Sequence, residues 1–171
     1  MSVVAGLDKF RESMGGLQDR LALIGGGACS LLFSGYGREF RITHDLDLVV
    51  LADGADPKLA RALWRFVREG GYTCGSRNDT KARYYRFTLD AAESVATGYP
   101  QEIELFARHP DFDLAPGSWL APLPSGDDDV RSLSAIVLDD DYYAFLCDGL
   151  TKVDGVRIPD LLHIIPLKMR A

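Results

Sequence analysis

The run Asp45-Leu46-Asp47-Leu48-Val49-Val50 constrains this chain more than any other stretch. Acid and apolar residues alternate and then give way to β-branched ones, the pattern of a strand whose successive side chains take opposite faces. Both aspartates then project to one face, with α-carbons roughly 6.5 Å apart, while Leu46 and Leu48 project into a core. At that separation two carboxylates repel by roughly 2–3 kcal/mol in an effective dielectric near 20, unless solvent or a cation relieves them. Glu102-Ile103-Glu104-Leu105-Phe106 repeats the pattern. If the two strands lie side by side, one glutamate, Glu104, completes a three-carboxylate cluster of the kind that serves divalent ions. The alternative for either pair alone is an edge strand with one wet face. Two such pairs in one chain weigh against it.

Ahead of the first pair, Leu21–Ile24 reads as a short buried strand that stops at Gly25-Gly26-Gly27, with an apolar helix over Ala28–Phe33. Glycines between strand and helix let backbone N–H groups approach a phosphate, and the helix start adds a favourable dipole. Mg²⁺ is held by one or two carboxylates plus substrate phosphates, so an acid pair shortly after such a turn suits it. Gly25-x-Gly27-x-x-Ser30 comes near the dinucleotide fingerprint, but its third glycine is missing. The aspartates also enter their strand instead of ending it. No Gly-Lys-Ser/Thr phosphate loop occurs.

Elsewhere the pattern predicts an amphipathic helix over Val4–Asp19, weakened near its end by Gly15-Gly16, and a strand over Arg41–Leu51. Pro57–Glu69 is a helix with proline in its first turn and Gly70-Gly71 beyond its end. Lys81–Leu89 and Glu102–Ala107 read as β segments, and Arg108–Val130, with four prolines and Asp127-Asp128-Asp129, as a loop of solvated acids. Ser132–Leu138 follows as a strand, Asp139–Asp148 as a helix with acids at its start, and Thr151–Ile158 as a β excursion around Asp154-Gly155. Tyr142, Tyr143 and Phe145 are assigned to the core. Pro159 and Pro166 each suit a helix start, which predicts one short helix ending near Ile165 and a second beginning at Pro166. Only Leu167–Ala171 remain for that second helix, too few to be stable alone, so a partner or further chain is expected to complete it.

Composition bounds the rest. The 171 residues, 47% of them hydrophobic and 26% charged, suffice for one domain with its own core. A net charge of −6 argues against a protein held on duplex DNA by phosphate contacts. No window approaches the roughly 20 apolar residues of a membrane span, and the first ten residues lack a leader pattern, so a cytoplasmic chain without membrane contact is expected. Cys29, Cys74 and Cys147, and His44, His109 and His163, are scattered without metal-ligand spacing.

Ile24-Gly25-Gly26-Gly27-Ala28 and Arg41-Ile42-Thr43-His44-Asp45-Leu46-Asp47-Leu48 resemble the hG-G-x-A and R-x-T-x-D-h-D-h signatures of the nucleotidyltransferase superfamily typified by DNA polymerase beta. Glu104 matches that family's third acid. Among its branches the chain is most similar to the abortive-infection nucleotidyltransferase toxins of the AbiEii type, and Leu161–Ala171 resembles the helix by which they supply a nucleotide-contacting lysine. The resemblance covers about residues 20–107, with a weaker match at the tail. It implies an α/β fold, a mixed β-sheet flanked by helices, in a single domain over 1–171 with the 130–171 part packed on the core.

The resemblance further implies Asp45 and Asp47 holding Mg²⁺ on the triphosphate of an NTP, with Glu104 as general base or ligand of a second ion. Gly25 and Gly26 would cradle phosphates, Arg41 and Thr43 would join the nucleotide site, and Lys168 would neutralise the phosphates. The implied reaction moves a nucleoside monophosphate to a hydroxyl or phosphate of an acceptor, whether small molecule, tRNA or protein. The alternative is a non-catalytic member that binds a nucleotide or a partner, as one half of a toxin–antitoxin pair. Arg38, Lys81, Arg83 and Arg86 are assigned mostly to surface charge, with Lys81, Arg83 and Tyr85 on one face of a strand.

Overall fold

The structure, a computed structural model, describes residues 3–38, 40–51, 55–74, 84–110, 114, 118–123 and 133–170. Helix α1 (Leu7–Met14) leads through a 3-10 turn (Leu17–Arg20) into strand β1 (Leu21–Ile24), helix α2 (Gly25–Gly35) and strand β2 (Asp45–Val50). Helix α3 (Pro57–Glu69), short strands β3 (Thr73–Cys74) and β4 (Arg86–Thr88), and helix α4 (Ala91–Thr97) precede strand β5 (Glu102–Arg108). Strands β6 (Leu120–Leu123) and β7 (Leu133–Leu138), helix α5 (Asp140–Asp148), the hairpin β8 (Leu150–Val153) and β9 (Val156–Pro159), and helix α6 (Leu161–Arg170) complete the order.

The strands form one mixed sheet, ordered β3-β4-β5-β2-β1-β9-β8. β2 runs antiparallel to β1 and parallel to β5, while β4 pairs with the first half of β5 and β7 with its second. The chain is thus α/β with a mixed sheet flanked by helices.

Alternation divides the sheet into two faces. Leu21 and Leu23, Leu46, Leu48 and Val50, and Ile103, Leu105 and Ala107 enter a large cluster with Leu7 and Phe10 of α1 and Leu63, Phe66 and Val67 of α3. Ala22, Ile24 and Val49, from the opposite face, enter a smaller cluster closed by Leu146 of α5 and Leu167 of α6. The helices follow from local chemistry. Asp56 accepts the Leu59 N–H at 3.1 Å and Pro57 fixes the first turn of α3; Asp139 caps α5 through the Tyr142 N–H at 3.1 Å. Among the described residues no helix is long and apolar enough to cross a membrane.

Several boundaries differ from the sequence reading, each for a physical reason. The first helix ends at Met14 because Gly15 and Gly16 both take left-handed backbone, at φ 57° and 97°. α2 starts at Gly25, so the glycines form its first turn instead of preceding it. The strand expected from Arg41 joins the ladder only at Asp45, because Thr43 pairs with Val4 in an isolated bridge. The region expected to be a loop holds β6, which among the described residues pairs with β7 alone, an edge position where Pro122 is tolerable. Lys81, Arg83 and Asp127-Asp128-Asp129 lie outside the described residues.

The largest correction is α6, which runs unbroken through Pro166. Its start is fixed by Asp160, whose carboxylate accepts the N–H groups of Leu162 and His163 at 2.9 and 3.0 Å. Ile164 and Leu167, 4% and 5% exposed, hold it to the body from either side of the proline. Burial of two aliphatic side chains stabilises by about 3–6 kcal/mol, enough to carry the roughly 3 kcal/mol that an interior proline costs. Pro166→Ala, at an exposed position, restores the missing N–H donor and is expected to raise stability to denaturant by about 1–3 kcal/mol. Loss of stability in that variant would show that α6 depends on a break at residue 166.

Candidate functional site

Parallel pairing of β2 with β5 is in register, so Asp45 lies beside Glu102 and Asp47 beside Glu104. Strand neighbours are about 4.8 Å apart, and all four carboxylates project from the face that carries Val49 and Phe106. Beside this grid opens a cavity of about 450 Å³, lined by Gly25, Asp47 and Glu104, by Asp139 and Tyr142 around the start of α5, and by Lys168 and Arg170 of α6. Its apolar wall includes Ile24, Phe106 and Leu138.

Burial pushes Asp47 up to about 6, and the charges of Glu104, Asp45 and Glu102 add to the shift while Lys168 opposes it. Glu104 is also raised, first by burial, with Arg86 pulling against it and Glu102 and Asp45 pushing further. Tyr142 is raised by burial and then by the Asp47 charge, which places its phenol within the field of that carboxylate. Tyr142 packs against the smaller hydrophobic cluster, as its assignment to the core implies, and it also lines the cavity wall.

Gly25 has φ 65°, and a Cβ there would overlap Asp47 Oδ2. Only glycine leaves room for that carboxylate at the start of α2, whose first turn carries neither an acidic residue nor a side-chain cap. Gly26 plays a packing part: a Cβ there would stand 2.8 Å from Thr43 Cγ2. Thr43 is buried, and Ser30, 1% exposed, donates its hydroxyl to the carbonyls of Gly26 and Arg41, each at 3.0 Å. Ser30 therefore ties α2 to the segment entering β2. Gly26 and Thr43 are absent from the cavity lining, and the Arg41 side chain is exposed. The structure thus gathers Gly25, Asp47, Glu104 and Lys168 of the residues singled out by sequence, with Asp45 exposed beside them at the start of β2.

Arg86, assigned to surface charge, has a larger part. From β4 it grips Glu102 through Nε at 3.0 Å and Nη2 at 2.8 Å, and its Nη1 lies 3.4 Å from Glu104. The signal for it was its position on the strand that pairs with β5, which becomes informative only once the register is known. Among the described residues no hydrogen bond or ion pair reaches the carboxylates of Asp45 or Asp47. Nor, among them, are three or more His, Cys, Asp or Glu side chains grouped closely enough to hold a metal ion by themselves. Mg²⁺ does not require such a cage, since it commonly takes one or two carboxylates and completes its shell with water and phosphate. An acid pair with no direct ion pair among the described residues, one member raised by burial and by its neighbours, fits that use.

The raised Asp47 has a consequence for stability. The folded state takes up its proton more readily than the unfolded state does, so stability falls as pH rises from about 3.8 to about 6, and the penalty is fully present above. Asp47→Asn is therefore expected to stabilise the metal-free protein at pH 7.5 by about 1–3 kcal/mol, with the difference vanishing near pH 3.5. Chemical denaturation at both pH values checks it, and destabilisation at pH 7.5 would contradict the electrostatic account.

No protein-family model, curated protein or solved structure matches the chain, so the function of this cavity has to be read from its own residues.

Proposed function

We propose that the protein is a Mg²⁺-dependent nucleotidyltransferase with the nucleotidyltransferase fold. The observation that carries this reading is the placement of Asp47, beside Glu104 in register and against the Gly25 turn, on the wall of a cavity that also holds Lys168. Acids, an uncapped helix start and a cation around one cavity suit a ligand that brings both a metal ion and phosphates. Asp45 and Asp47 would hold Mg²⁺, which supplies charge neutralisation at the phosphates and polarises the α-phosphorus.

The chain's own groups would do the rest. Backbone N–H groups of the Gly25 turn orient the phosphates, and Lys168, which lines the same cavity, balances their charge. Glu104, already biased toward accepting a proton, takes it from an acceptor hydroxyl as that oxygen attacks the α-phosphorus and pyrophosphate departs. One observation favours a second reading, a non-catalytic nucleotide-binding or partner-binding member of the fold: Arg86 already engages the Glu104 carboxylate.

Thermal unfolding with each of the four NTPs, with and without Mg²⁺, tests the first requirement. An NTP at 100 times its dissociation constant should stabilise by about 2.7 kcal/mol, in a Mg²⁺-dependent way that Asp47→Asn abolishes. Absence of any shift overturns the nucleotide reading. A shift without pyrophosphate release, for every acceptor class supplied, favours the binding protein over the enzyme.

A further inference from the structure

The cavity has two cations on its wall, and they are in different states. Lys168 makes no ion pair among the described residues, whereas Arg170 Nη2 donates to Asp139 Oδ1 at 3.0 Å. Asp139 lines the same cavity, so this ion pair joins the start of α5 to the end of α6 at the cavity wall, with side chains 57% and 58% accessible. Arg170 stands one turn beyond Leu167, whose burial anchors the end of α6. The same Asp139 oxygen accepts the Tyr142 N–H as the cap of α5. The cap needs an oxygen acceptor there but no charge, since asparagine caps as well as aspartate.

We propose that Arg170 is a triphosphate-binding residue latched by Asp139, and that an entering NTP draws the guanidinium from the carboxylate onto its phosphates. An exposed ion pair is weak, while a guanidinium and a phosphate make a bidentate, charge-assisted contact, so the exchange favours the ligand. Asp139 adds a negative charge to a wall that already carries Asp47 and Glu104. The latch neutralises that charge when the cavity holds no anion, and it sets a threshold that a polyphosphate crosses and a weakly charged molecule does not. This inference rests on the nucleotide reading above.

The test is calorimetric titration with the Mg-NTP that gives the largest melting shift, and with Mg-tripolyphosphate as a probe without a base. Asp139→Asn keeps the cap and removes the charge that holds Arg170, leaving only a weaker neutral acceptor, so it should tighten binding about two- to fivefold. Arg170→Gln should weaken binding of both probes about tenfold. In the Arg170→Gln background, Asp139→Asn should no longer tighten binding, because its gain is routed through the arginine. Opposite signs for the two single variants are the signature, since a purely structural strut predicts weaker binding from both, in step with a lower melting temperature without ligand. Parallel weakening, or no change from either variant, overturns the latch and leaves the nucleotide reading standing. Failure of the wild-type protein to bind either probe overturns both.

Discussion

The in-register parallel pairing of β2 with β5 forces the acids together, and the force comes from the other face of the sheet. Leu46, Leu48, Ile103 and Leu105 are each at most 1% exposed. Burying four such side chains stabilises by about 6–12 kcal/mol, several times the roughly 2–3 kcal/mol by which two neighbouring carboxylates repel. A slip of one residue in either strand would send its acids into the core and its leucines to the cavity, so the register has no cheap alternative. Proximity of Asp47 to Glu104 is thus a by-product of the hydrophobic pattern that builds the sheet. That explains how a charge arrangement unfavourable by itself persists in the folded chain.

What neutralises that arrangement is unevenly distributed. Arg86 arrives from β4 and holds the β5 side of the grid, and Lys168 arrives from α6 to face Asp47. Between them the β2 side keeps a surplus of negative charge, at the one point where Gly25 has withdrawn its side chain. A chain built only for stability would place an apolar or cationic residue at position 47, as the expected gain from Asp47→Asn expresses. Residues held against the preference of the fold concentrate where ligands bind. The carboxylate surplus and the missing Cβ lie at the same place, which makes them two aspects of one site.

The sequence carried the parts of this arrangement that obey a local period. Two-residue alternation exposed Asp45, Asp47, Glu102 and Glu104 as occupants of one face, and Pro57 with Gly70 bracketed α3 to the residue. Position 25 was legible as a turn but not as a contact of Asp47, because that contact needs the antiparallel pairing of Ile24 with Asp47. The ion pairs of Arg86 and Asp139 were illegible for the same reason, although Asp139 is the helix-start acid that its place in the sequence implies. Their partners lie 16 and 31 residues away, and a charge says nothing of its partner until the strands are registered and the helices docked. α4, between the cap at Asp90 and the left-handed Gly98, carries its own signals but no apolar stripe to draw attention to them. Pro166 misled by its local rule, which tertiary burial of Ile164 and Leu167 outweighs.

One consequence concerns the order in which the site becomes complete. The acids and the glycine turn come from β1, α2, β2 and β5, whose side chains belong mainly to the large cluster, whereas Lys168 and Arg170 come from the last helix. α6 is fastened by the burial of Ile164 and Leu167, the Asp160 cap, the His163 ring over Gly149 and against Phe145, and the exposed Arg170–Asp139 pair. A helix of ten residues is marginal in water without such docking. Local opening of α6 therefore costs less than global unfolding, and it removes both cations while leaving the carboxylate grid in place. The negative half of the cavity is as stable as the sheet, and the positive half only as stable as the docking of α6. An anion that bridges the two halves ties α6 to the sheet, so occupancy of the cavity and order at the end of the chain are coupled by the charges that line it.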